Sequence, residues 1–187
     1  MSFKDLRYKR VYVSGLDNLV KDFYIPLLSE SKFYRRGSGY FNSRALALAA
    51  RGISGMLKHG GKMQLLCSVE LDADDESVLK DPFAYLRDVE SDVMDQLDHP
   101  FDELEKKRLG ILAELLARKK LEIKVCVKTG GIYHAKIGVF EDDKGNKVVF
   151  TGSGNETPGG WFKNQERFNV FKSWEQPEYV RENEELL

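Results

Sequence analysis

The sequence predicts an α/β domain with parallel pairing in a sheet covered by helices, and three observations predict it. An Ala- and Leu-rich helix from Arg44 to about Lys58 stops at Gly60-Gly61, and the strand-like run Met63–Val69 begins directly afterwards. Strand, helix and strand joined by short connections form a βαβ unit, whose two strands lie parallel. The later chain holds two amphipathic helical patterns, about Pro82–Leu97 and Asp102–Lys119, and then four strand-like runs: Leu121–Val127, Tyr133–Glu141, Lys147–Thr151 and Glu166–Phe171.

The remaining elements follow in order. Arg10-Val11-Tyr12-Val13 is a short strand closed by Gly15, and Asp17 can N-cap a helix reaching about Leu28, with Pro26 opposing that reading. Phe33-Tyr34 leads into Arg35-Arg36-Gly37-Ser38-Gly39-Tyr40-Phe41, read as a basic, aromatic, glycine-rich loop. The pattern Leu104, Leu109, Leu112, Leu115 and Leu116 gives the second late helix one apolar stripe, and the charge runs around it read as solvated faces. Asp143-Lys144-Gly145-Asn146 predicts a hairpin turn. Residues 1–173 are read as one domain, and the acidic segment 174–187 as a tail or a linker to a further domain.

Composition bounds the function. The chain has 187 residues, of which 42% are hydrophobic and 32% charged, enough for one domain with a core and a soluble surface. Lys and Arg total 29 against 30 Asp and Glu, so any phosphate-binding field must be local. Cys67 and Cys126 each sit in an apolar run and read as reduced, structural thiols. With three histidines and no CxxC, no metal site and no cofactor is expected. The polar N-terminus and the lack of a membrane-length apolar run predict a cytoplasmic protein that does not enter a membrane.

Chemistry concentrates in the last third. On a strand, His134 and Lys136 share a face opposite Ala135 and Ile137, pairing an imidazole with a fixed ammonium. That pair suits attack on a phosphorus whose oxygens need charge neutralised. Gly152-Ser153-Gly154-Asn155 follows; its small residues admit a ligand close to the backbone, and Ser153 and Asn155 can donate to phosphate oxygens. Each half alone is common, H-x-K by chance and Gly-Ser-Asn as an ordinary turn. Glu166, opening the last strand, can hold the far nitrogen of the imidazole or pair on the surface with Arg167 or Lys163. Arg35 or Arg36 can contact a backbone phosphate, and Tyr40, Phe41 and Trp161 are divided between lining a groove and packing.

His134-x-Lys136 with Gly152-Ser153-x-Asn155 resembles the signature of the phospholipase D superfamily. Position 141, where that pattern places aspartate, holds Glu141, with Asp142 one step further. The stretch from Asn155 through Gly159-Gly160-Trp161 to Glu166 is most similar to the bacterial nuclease branch. That branch includes a metal-independent type IIS restriction endonuclease and the nuclease-like domains of defence-associated helicases. The resemblance implies a mixed, mostly parallel β-sheet flanked by helices on both faces. It also implies a two-step displacement without metal: His134 as nucleophile, Lys136, Ser153 and Asn155 on the phosphate oxygens, and Glu166 orienting His134. The second imidazole that this chemistry needs has no counterpart in the chain, since neither His59 nor His99 precedes a lysine by two positions. A symmetric homodimer supplies it.

The expected function is DNA cleavage, with a helicase or ATPase domain as a further partner. Two alternatives stand beside it. A phospholipase-type phosphodiesterase is opposed by the lack of any membrane-facing apolar segment. A catalytically weak nucleic-acid-binding or dimerisation domain is kept open by the near-neutral net charge of -1 and by Glu141 at the position of the pattern's aspartate.

Overall fold

The computed structural model describes residues 1–39, 41, 44–67, 78, 80, 81, 110–126, 133–154 and 165–187. Seven strands form one sheet: β1 (Val11–Val13), β2 (Ser31–Ser38), β3 (Lys62–Cys67), β4 (Leu121–Val125), β5 (Ile137–Asp142), β6 (Lys147–Gly152) and β7 (Arg167–Lys172). Their order is β1-β7-β6-β5-β2-β3-β4. β2, β3 and β4 run parallel, while β2/β5, β5/β6, β6/β7 and β1/β7 are antiparallel.

The mixed α/β class is as expected, but the expectation of a mostly parallel sheet is corrected: two of its six pairings are parallel. The βαβ unit is present as β2, helices α2 (Arg44–Leu48) and α3 (Ala50–Lys58), and β3. It governs only one half. The Asp143–Asn146 hairpin reverses the chain between β5 and β6, Gly145 turning with φ of 74°, and β7 and β1 then add antiparallel.

Local differences from the sequence expectations have physical causes. The loop predicted at Arg35–Phe41 is strand as far as Ser38, because β2 is an interior strand, paired with β3 through Ser38 and with β5 through Gly37. Its Gly37 signals a close approach: a Cβ there would meet the Tyr133 hydroxyl and the Leu187 side chain. The helix expected from Asp17 begins as a π-helical turn, Val20–Tyr24, and continues as α1 (Ile25–Glu30). Pro26 falls in the first turn of α1, at the junction where the π-helical turn passes into the α-helix. Asp17 closes the β1 end instead of capping, accepting from Val13 N at 2.9 Å. The helix expected over Arg44–Lys58 is broken at Ala49. Of the two late helices, 110–117 is helical as read, and residues 82–109 lie outside the described residues.

Helices cover both faces. On one face, an aromatic row crosses five strands: Tyr34 stacks on Phe140 (4.5 Å between centroids), Phe140 on Phe150 (5.6 Å), Phe150 meets Phe168 (5.2 Å) and Phe168 stacks on Tyr12 (5.3 Å). Phe23, from the π-helical turn, sits against Tyr12, Phe140, Phe150 and Phe168. Two cross-strand partners of this row are glycines. Gly138 pairs with Phe150 and Gly152 with Phe168, and a Cβ on either would overlap that partner residue.

On the other face, the C-terminal segment forms α4 (Pro177–Glu184), not the unstructured tail read from its acidity. Val180 packs on Ile137, Val139 and Val149. Glu184 fastens it, accepting from Lys147 Nζ at 2.6 and 2.7 Å and pairing with Arg35. The acidity that suggested a tail is what Lys147 of β6 and Arg35 of β2 bind.

Asp142 is 2% exposed and ties the N-terminus to the hairpin. Its carboxylate accepts from Ser2 Oγ (3.1 Å), Phe3 N (3.0 Å), Lys144 N (2.9 Å) and both nitrogens of Asn146 (2.8 Å each). Burial alone would raise its pKa; the bonds from Asn146, Phe3 and Lys144 outweigh this and hold it below the ordinary aspartate value of 3.8. Such a group contributes stability that is present above pH 3.8 and lost as pH falls through the folded value. Urea unfolding of Asp142→Asn should show a loss of about 1–3 kcal/mol at neutral pH that shrinks below pH 4. A pH-independent difference would contradict the assignment.

Candidate active site at the carboxyl end of the parallel strands

Because β5 opposes β2 and β7 opposes β6, five chain segments meet at one end of the sheet: the end of β2, the lead-in to β5, the end of β6, the lead-in to β7 and Ser14 after β1. In open α/β sheets this end is where ligands bind. His134 and Lys136 precede β5, which starts at Ile137 rather than at Tyr133. The ladder nonetheless reaches Lys136, whose carbonyl accepts from Gly152 N at 3.2 Å.

The alternation read from sequence holds for Ala135, Lys136 and Ile137. Ala135 and Ile137 pack on the α4 face, while Lys136 points to the aromatic face. His134 is exposed and Lys136 is 8% exposed. The Lys136 ammonium donates to the His134 carbonyl at 2.8 Å, which pins the backbone of the proposed nucleophile. Burial lowers the Lys136 pKa, the Arg36 guanidinium lowers it further, and the Glu166 carboxylate acts against both.

The Ser153 turn is tied to β7. Ser153 N donates to Arg167 O at 3.2 Å, and Ser153 Oγ accepts from Arg167 N at 3.2 Å. The hydroxyl keeps its own proton to donate. Glu166 is held by Ser14: Glu166 N donates to Ser14 Oγ at 2.7 Å, and Ser14 N to Glu166 O at 2.9 Å. A small cleft over Phe150, Phe168, Leu19 and Tyr24 is lined by Lys136, Arg36, Gly152, Gly154 and Glu166. A larger concavity of about 640 Å³ lies at the opposite end of the strands, between Phe33, Lys62 and Glu122. Among the described residues, the small cleft is the one that joins the motif residues.

The structure thus gathers Lys136, Gly152, Gly154 and Glu166, with His134 and Ser153 in the adjoining segments. Asn155, Tyr40 and Trp161 lie outside the described residues. Phe41 is buried in the core. Arg35 faces α4, and Glu141 lies within 3.8 Å of Lys147, away from the cleft. Its neighbour Asp142 holds the buried, hydrogen-bonded place. Ser14 and the inward direction of Arg36 escaped the sequence reading; the alternation Tyr34, Arg36, Ser38 in a strand is the signal that points Arg36 inward. Among the described residues, no three His, Cys, Asp or Glu side chains group as metal ligands. Also among them, no helix is long and apolar enough to cross a membrane.

A family model described as "Cardiolipin synthase, PLD-like domain" matches residues 31–186, well over half of the chain. The chain belongs to the PLD-like domain family. Membership places this PLD-like domain in a superfamily of phosphodiester-hydrolysing enzymes. No curated protein matches it by sequence. Among solved structures, it is similar to NucT from Helicobacter pylori, with a TM-score of 0.50, 16% identity and 94% of each chain covered. It is also similar to Nuc, a phospholipase D family member from Salmonella typhimurium (TM-score 0.48, 14% identity, 92% of each chain). A yeast tyrosyl-DNA phosphodiesterase variant follows (TM-score 0.45, 12% identity, 86% of this chain and 30% of that one). At these identities the likeness describes the fold.

Neutralising Glu166 tests the electrostatics of the PLD-like domain's cleft. In Glu166→Gln, burial and Arg36 act on Lys136 unopposed, so the Lys136 midpoint, read by NMR of ¹³C-methylated lysines, should fall below wild type. An unchanged midpoint would show that Glu166 does not face Lys136.

Proposed function

We propose that this chain is a metal-independent endonuclease that cleaves DNA through a covalent phosphohistidine, with its site completed by a second copy of the chain. The observation that carries this reading is the convergence of Lys136, the Gly152–Gly154 turn and Glu166 in one cleft beside exposed His134. A nucleophile, a fixed cation, a close-approach turn and a carboxylate are the parts that phosphodiester displacement uses.

In the first step, a ring nitrogen of His134 bonds to phosphorus. The bond from phosphorus to the leaving oxygen breaks, and that oxygen takes a proton from the imidazolium of His134 in a second copy. Lys136, Ser153 and Asn155 hold the non-bridging oxygens, and Glu166 stabilises the charge on His134. In the second step, water gives its proton to the second imidazole and attacks phosphorus, breaking the P–N bond and releasing His134. A role as the nuclease module of a restriction or defence protein, with a helicase partner and a cytoplasmic setting, accords with the sequence resemblance. One other reading stands beside it, a weakly catalytic nucleic-acid-binding or dimerisation module, to which Glu141 at the position of the pattern's aspartate points.

Plasmid incubated in excess EDTA should be nicked or cut by the parent and left intact by His134→Ala, while light scattering shows a dimer. Loss of cleavage on chelation, equal cleavage by His134→Ala, or a strict monomer at high concentration would overturn the proposal. DNA retention without cleavage would favour the binding module.

A further inference from the structure

Arg36 is a buried cation with a built surrounding. At 2% exposure it is among the most enclosed side chains of the domain, on the central strand, opposite Gly138 of β5 and Leu65 of β3. Because Gly138 has no Cβ, the Phe150 ring lies flat over β5, and the Arg36 guanidinium rests on that ring at 4.8 Å. From there Arg36 Nη2 donates to the Gly154 carbonyl at 2.6 Å, and Lys136 and Glu166 line the same cleft. An interior guanidinium costs stability unless it is satisfied. The fold has spent a glycine, a stacked ring and a turn carbonyl on placing this one.

We infer that Arg36 is a positioning residue of the site: it fixes the turn that carries Ser153 and leads into Asn155, and it sets a permanent positive charge beside Lys136. The inference rests on the phosphodiester reading of the cleft. Two functions are combined in one group. The tether needs a planar donor that can stack on Phe150 and reach Gly154 together, which a lysine ammonium cannot reproduce. The charge needs only a cation. Among the described residues, the titratable groups that face Lys136 are Arg36 from β2, Glu166 before β7 and Tyr24 from the helix over the cleft, and of these Arg36 is the permanent positive charge.

Arg36→Lys and Arg36→Met separate the two functions. With bis-p-nitrophenyl phosphate as probe, Arg36→Lys should lower kcat by tenfold or more, toward the order of 10²-fold that a small misplacement costs, with KM little changed. Its Lys136 midpoint, read by NMR, should stay near the wild-type position. Arg36→Met should lose at least as much rate, and its Lys136 midpoint should rise because Lys136 no longer has a cation beside it. A merely structural role would lower the amount of folded protein, seen in the thermal melt, and leave kcat per folded molecule and the midpoint unmoved. Either variant at wild-type kcat, or Arg36→Met with an unmoved midpoint, overturns the inference. Should Arg36→Met fail to fold, the kcat of Arg36→Lys decides.

His134→Ala, assayed in parallel, tests the underlying reading by itself. If the wild type shows no hydrolysis, that reading fails, and the NMR midpoint of Lys136 decides the inference alone: a rise in Arg36→Met supports it, and no change overturns it.

Discussion

The aromatic row across β2, β5, β6, β7 and β1 is the contact on which the rest of the molecule depends. Five rings from five strands are locked by a sixth, Phe23, whose centroid lies 4.9 Å from those of Tyr12 and Phe168 and 5.2 Å from that of Phe150. Aromatic pairs of this kind contribute about 0.5–1.5 kcal/mol each beyond the area they bury. The larger consequence is geometric. The row fixes the register of the antiparallel half; Gly138 is small because the Phe150 ring lies across it, and Gly152 because the β7 backbone at Arg167 and Phe168 does. The same register places the ends of β2 and β6 and the starts of β5 and β7 together, and the cleft is the upper edge of the row.

The cleft therefore inherits a dry floor of Phe150 and Phe168 under a group of charges. A chain with net charge of -1 has no global field to attract a polyanion. What it has is local: Lys136 and Arg36, both nearly enclosed, with Glu166 as the near counter-charge. In a low-dielectric setting fixed charges act more strongly than on the surface. This reconciles a phosphate-handling site with an almost neutral protein.

Much of this was legible in the sequence, for identifiable reasons. His134 and Lys136 were placed on one face by simple alternation, and the Asp143–Asn146 turn and the helix stop at Gly60 follow from local turn chemistry. What escaped depended on distant partners. Arg35-Arg36-Gly37 reads as a loop until β5 and β3 are known to pair on both sides of it, and Gly37 reads as flexible until Tyr133 and Leu187 are seen filling its missing Cβ. The parallel character was overestimated because one βαβ unit was extended to strands that return by hairpin. The acidic C-terminus reads as solvated until Lys147 and Arg35 appear beneath Glu184.

The central claim is that His134 forms the covalent bond to phosphorus. A single-turnover reaction with an oligonucleotide in EDTA, quenched in alkali and read by intact mass and peptide mapping, tests it most directly. The account predicts a nucleotide adduct on the peptide carrying His134, stable to alkali and labile to acid, that forms and decays with product release. Cleavage that proceeds with no adduct, or with an adduct on another residue, would contradict it.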